Sequence, residues 1–224
     1  MKEVVYDDDG NPARILGNAC DSQDDFRPIE IGPEAFTYTV NIKRKHSKNI
    51  GILYRARKIL NTKSLTNLYY SFIYPYFTYC VEIWGKTYTT YTDSLFRLQK
   101  RIIRLITFSK RMEHSQPLFD KLNILPLNIL YKYRMLMFLH KLILGKVPTI
   151  LSDLFVRNRD LHSYCTRQAN HFKTPKINVE YYKKSFLYNA ITIYNKASLV
   201  FDFTSKLSTF KKNVRKYFKS GCEF

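Results

Sequence analysis

The chain has 224 residues, with 37 Lys and Arg against 18 Asp and Glu, a net charge of +19 at pH 7. That length suits one ordinary domain or one domain plus a tail, and 45% apolar residues suffice for a packed core, which excludes disorder of the whole chain. Seven Gly and eight Pro exclude collagen-like and glycine-rich classes, while a basic chain with 18 Tyr and 16 Phe calls for a polyanion or an acidic partner.

Charge divides the chain in two. Residues 1–40 carry nine acids and three bases, a net of −6, whereas residues 41–224 carry 34 bases and nine acids, a net of +25. The first segment also holds Gly10, Gly17, Gly32, Pro12, Pro28 and Pro33. It reads as an acidic, mostly disordered leader without the apolar core of a signal peptide. The basic remainder reads as successive helices.

Ser47 is a candidate cap for a helix over residues 48–60, with Ile52, Ala56, Ile59 and Leu60 on one face. Ser64 starts the next segment, SLTNLYYSFIYPYFTYCV, which has no charged side chain over residues 64–81. A membrane-spanning helix needs about 20 mostly apolar residues. Five Tyr and a central Pro75 make this run too polar for that, so it reads as a core helix that breaks near Tyr74 and stops at Gly85. Its aromatics Tyr69, Phe72 and Tyr76, with Phe138 further on, are assigned to the core.

The clearest helix follows, TDSLFRLQKRIIRLITF, capped by Thr92 or Asp93. Leu95, Leu98, Ile102, Leu105 and Ile106 fall in one arc, and Arg97, Lys100, Arg101 and Arg104 in the opposite one. Ser115 and Pro117 open a short helix expected to end at Pro126. Residues 127–144 are apolar nearly all round and end at Gly145, the pattern of a central buried helix. Residues 156–180 lack periodicity and read as loop, and residues 185–197 as another helix. The segment KLSTFKKNVRKYFK is again two-sided, with Leu207, Phe210, Val214, Tyr217 and Phe218 in one arc, Lys212, Arg215, Lys216 and Lys219 in the other, and Lys211 at the border. No run of alternating strands is present. The expected fold is all-α, an irregular bundle of about six to seven amphipathic helices behind the leader.

Catalytic motifs are nearly absent: there is no Walker loop, G-x-S-x-G, H-E-x-x-H or G-x-G-x-x-G. The nine acids of the body stand singly, a poor basis for two-metal phosphoryl transfer. Tyr6-Asp7-Asp8-Asp9 matches the Y-x-D-D pattern of reverse transcriptases but reads as an acidic turn in the leader. His162, Cys165 and His171 are three possible metal ligands where a structural zinc site takes about four, so they read as an ordinary polar loop. His140 reads as a hydrogen-bonded core histidine. The dispersed cysteines (Cys20, Cys80, Cys165, Cys222) read as reduced thiols of an intracellular protein, in the nucleus or the cytoplasm. No cofactor and no metal is expected.

What remains is two one-signed helix faces, Arg97/Lys100/Arg101/Arg104 and Lys211/Lys212/Arg215/Lys216/Lys219. Such faces neutralise phosphates and release counterions, and neighbouring Tyr and Phe can stack on unpaired bases.

The body resembles the region downstream of the polymerase core in reverse transcriptases of non-LTR (LINE-type, jockey-like) retrotransposons. The resemblance lies in KHSKNIGILYRARKIL (45–60), LTNLYYSFIYPYFTYCVEIWGKTY (65–88), LFRLQKRIIRLITFS (95–109), HSQPLFDKLNILPLNILYKYRMLMFLHKL (114–142) and LHSYCTRQAN (161–170), with order and spacing agreeing across about 45–218. It implies the post-palm helical region of an RNA-directed DNA polymerase, and it does not extend to that family's fingers, palm or catalytic aspartates. The expectation is therefore a remnant or partial reverse transcriptase. Taken alone it is a non-enzymatic module holding RNA or an RNA–DNA hybrid by the backbone, with no membrane role. Two alternatives stay open: an interaction module binding an acidic protein, including its own leader, or a non-functional gene fossil.

Overall fold

The computed structural model describes residues 33–161 and 166–221. Ten α-helices lie among them: α1 (Pro33–Ala56), α2 (Thr62–Phe72), α3 (Tyr74–Thr78), α4 (Val81–Trp84), α5 (Thr89–Ile106), α6 (Gln116–Leu122), α7 (Leu127–Ile143), α8 (Thr149–Ser152), α9 (Phe186–Ala197) and α10 (Leu207–Lys219). Among the described residues the sole extended pairing is an isolated bridge between Arg157 and Phe172, so the all-α expectation holds. Within the same residues no helix is long and apolar enough to cross a membrane.

The first helix differs from expectation. Residues 33–40, read as part of the leader, belong to α1, and residues 1–32 lie outside the described residues. Ser47 is not a cap; it sits inside α1 and its hydroxyl donates to the Lys43 carbonyl (2.9 Å). The buried stripe is Ile42, His46, Ile50 and Leu53, while Ile52 and Ile59, expected to be buried, are 54% and 88% exposed. The stripe passes through a histidine within the basic run KRKHSK, which hid both the start of the helix and its true face.

Asn61, not Ser64, caps α2: its side chain accepts from the Ser64 N–H (2.9 Å). The break before Pro75 is present. The chain leaves α2 at Ile73 and restarts as α3 with Pro75 in the first turn, where a missing N–H breaks no helical hydrogen bond. Tyr69 is fully buried, Tyr76 and Phe138 pack against the core, but Phe72 is 56% exposed. Gly85 closes α4 as expected, for a steric reason. A Cβ there would stand 2.5 Å from both Tyr131 Cδ2 and the Val81 carbonyl oxygen.

α5 begins a turn earlier than expected, with Tyr88 at the cap position, so Thr92 and Asp93 lie within the helix. Its buried side is Leu95, Gln99, Ile102, Ile103 and Ile106. α6 ends not at Pro126 but at Asn123, which takes up a left-handed conformation (φ 55°). α7 is buried nearly all round, as its composition demands, and Gly145 beyond it has φ 65°.

α7 is the hub of the bundle. α3, α4, α5, α9 and α10 pack against it, and α1 lies on α5, α2 and α4. His140 on α7 is buried and bonds through Nε2 to the Ser205 carbonyl (2.8 Å), tying the loop before α10 to the core. The described residues of the 156–180 segment are mostly irregular. They are anchored by Asn195, which accepts from the Phe172 N–H and donates to its carbonyl (3.0 Å each).

Candidate nucleic-acid interface

The packing of α1 on α5 buries one face of each helix and leaves their outer edges facing one another across a groove. After α5 the chain turns at Phe108, in the left-handed region (φ 59°), and returns along the helix end through residues 109–113. Ser109 N–H donates to the Arg104 carbonyl (3.0 Å), and the Thr107 and Ser109 hydroxyls bond one another (2.8 Å). Arg104 Nε donates to the Glu113 carbonyl (2.9 Å), and the Glu113 carboxylate accepts from the Lys110 N–H (3.2 Å). These bonds hold the loop as a third wall.

The resulting groove encloses about 790 Å³ and is lined by Ser47, Ile50, Gly51, Tyr54 and Arg57 on one side, Arg101, Arg104 and Leu105 on the other, and Ser109, Arg111 and Met112 at the end. Four arginines therefore line one cleft, and no carboxylate lines it. Arg57 lies over the Phe108 ring (4.8 Å), a cation–π contact that fixes its plane. The described residues form ion pairs at Arg134–Glu82, Arg159–Asp160 and Lys183–Glu180, none of which engages a groove arginine. Like charges in one cleft repel, and an anion placed among them relieves that repulsion. Along the outer surface of α1 a shallower depression of about 550 Å³, lined by Val40, Lys43, Arg44, Ser47 and Lys48, shares Ser47 with the groove and extends its positive edge.

The structure divides the nine basic residues marked in the sequence. Arg101 and Arg104 line the groove. Arg97 is exposed one turn earlier on α5, its Nε donating to the Asp93 carbonyl (3.4 Å). Lys100 folds its Nζ over the Phe96 ring (4.2 Å), away from the other three. On α10, Lys211, Lys212, Arg215, Lys216 and Lys219 are all exposed, and none lines the groove. Arg215 instead lies over Tyr133 of α7 (5.7 Å), and Lys216 edges a separate depression of about 390 Å³ with Phe201 and Asp202.

Sequence reasoning missed Arg57, Arg111, Tyr54 and the Lys43/Arg44/Lys48 edge. A signal was present: residues 35–81 contain eight bases and no acid. Of the three possible metal ligands, His162 and Cys165 lie outside the described residues, as does the Tyr6–Asp9 cluster. Among the described residues no three His, Cys, Asp or Glu side chains are grouped to hold a metal.

The buried polar residue of α5 does something else. Gln99, fully buried, donates through Nε2 to the Tyr69 hydroxyl (3.2 Å) and the Leu125 carbonyl (3.1 Å), and its Oε1 accepts from the Leu127 N–H (2.9 Å). It thereby joins α2, α5 and the first turn of α7. Burial raises the Tyr69 phenol above its ordinary value, so the hydroxyl stays neutral. No protein-family model matches this chain, and neither a curated protein nor a solved structure does.

Proposed function

We propose that this chain is a non-catalytic helical module that holds nucleic acid, RNA or an RNA–DNA hybrid, through backbone phosphates, and that the α1–α5 groove is where it does so. The observation that carries the proposal is the meeting of Arg57, Arg101, Arg104 and Arg111 in one cleft that no carboxylate lines. Phosphate oxygens are the ligands such a cleft suits, because guanidinium offers paired donors in a planar fork. The resemblance to the post-palm region of non-LTR reverse transcriptases supports the same reading, and makes the chain a remnant or part of such a polymerase.

A salt-titrated binding assay on the full chain tests this. The exposed side chains of Arg101 and Arg111 make no hydrogen bond or ion pair to another described residue, so Arg101→Gln with Arg111→Gln should leave the fold intact. The double variant should weaken binding and lower the log-affinity against log-salt slope by roughly 1.5, at about 0.7–0.9 per lost phosphate contact. Lys211→Gln with Lys212→Gln should change the slope less. An unchanged slope in the groove variant removes the proposal. Binding of an acidic peptide but of no nucleic acid transfers the groove to a protein partner.

A further inference from the structure

One wall of the groove carries a side chain that phosphate binding does not need. Tyr54 of α1 lines the groove, is 58% exposed, and its side chain makes no ring contact or hydrogen bond with another described residue. Met112, 91% exposed, stands on the loop that closes the same cleft. The core does not call for either residue. A free phenol ring beside Arg101 and Arg111, whose side chains have no partner among the described residues, combines the two elements that bind a single strand: a π face for a base and cations for the phosphates that flank it.

A duplex suits this arrangement poorly. Its stacked bases offer edges but no free face to the Tyr54 ring, whereas an unpaired strand exposes the face of every base. A cleft of about 790 Å³ falls in the range that takes ligands of nucleotide size, roughly 300–1,000 Å³.

We propose that the α1–α5 groove selects an unpaired strand over a duplex, with a base stacked on Tyr54 and the adjoining phosphates on Arg101 and Arg111. This rests on the nucleic-acid reading above and, of the two forms it leaves open, chooses unpaired RNA over the RNA–DNA hybrid. All three side chains are exposed, so substitutions here report on binding. The test uses the full chain, a short single-stranded oligonucleotide, and the duplex of the same sequence, each titrated by fluorescence anisotropy across a salt series. Tyr54→Ala should weaken single-strand binding about tenfold at unchanged salt slope, Tyr54→Phe should restore it, and duplex binding should not move. If Tyr54→Ala leaves single-strand affinity unchanged while the arginine variant still lowers the slope, the groove binds backbone alone and this inference fails while the nucleic-acid reading stands. If duplex binds as tightly as the single strand, the inference fails too. If neither form binds, both fall.

Discussion

Replacing Gln99 with Leu removes the polar joint of the bundle while nearly keeping its volume. The amide makes three hydrogen bonds in a fully buried position. Its loss strands the Leu127 N–H, one of the N-terminal donors of α7 that no intrahelical carbonyl can satisfy. The Leu125 carbonyl and the Tyr69 hydroxyl lose a partner as well. A buried polar group left unpaired costs about 1–3 kcal/mol, and removal of a desolvated amide offsets part of the total. The expected net loss is about 2–4 kcal/mol, read as a lower urea midpoint at unchanged m-value. Tyr69→Phe, which removes a single partner, should cost about 1 kcal/mol. A Gln99→Leu protein within about 0.5 kcal/mol of the parent would refute the assignment of Gln99 as the joint.

Three further outcomes follow from side chains whose surroundings are unusual. His46 is buried against Phe77 (ring centroids 4.3 Å apart) with neither ring nitrogen bonded, and burial lowers its pKa to about 4. The unfolded chain then takes up a proton that the folded one refuses. This contribution to stability is whole above about pH 6.5 and is lost as pH falls toward 4, at most about 3 kcal/mol. His46→Leu should flatten that part of the pH–stability curve, and an identical curve would contradict it. Gly85→Ala should cost about 1–3 kcal/mol by thermal or urea unfolding, because its methyl group meets the Tyr131 ring and a backbone oxygen; a neutral substitution would mean that the ring moves freely. Phe72→Ser, on a half-exposed face, should fall within about 0.5 kcal/mol of the parent, while a loss of several kcal/mol would return Phe72 to the core.

Much of this architecture was legible because helix periodicity is strong where the opposite face is charged. α10 shows it best: Phe210, Val214 and Phe218 are buried and the lysines are exposed. α7 was legible from composition alone, and the break at Pro75 and the stop at Gly85 from backbone chemistry. The start of α1 was not, since a buried histidine inside a basic run reads as solvated surface. The start of α5 was not, since Thr92 and Asp93 cap well in principle yet the helix continues a turn further back. The groove was half legible. Arg101 and Arg104 stand out on α5, but their partners Arg57 and Arg111 come from a different helix end and from a loop, and only tertiary packing brings them together. One helical face likewise proved to serve two surroundings, with Lys100 turned onto Phe96 and Arg101 into the cleft.

The most direct measurement of where nucleic acid lies is a photocrosslink. A single-stranded oligonucleotide carrying 5-bromouracil is bound to the full chain at low salt, irradiated, and the adducts mapped by mass spectrometry. Adducts on Tyr54 or Met112, suppressed by Arg101→Gln with Arg111→Gln, are the predicted result. Adducts confined to α10, with none on the α1–α5 groove, would contradict the account.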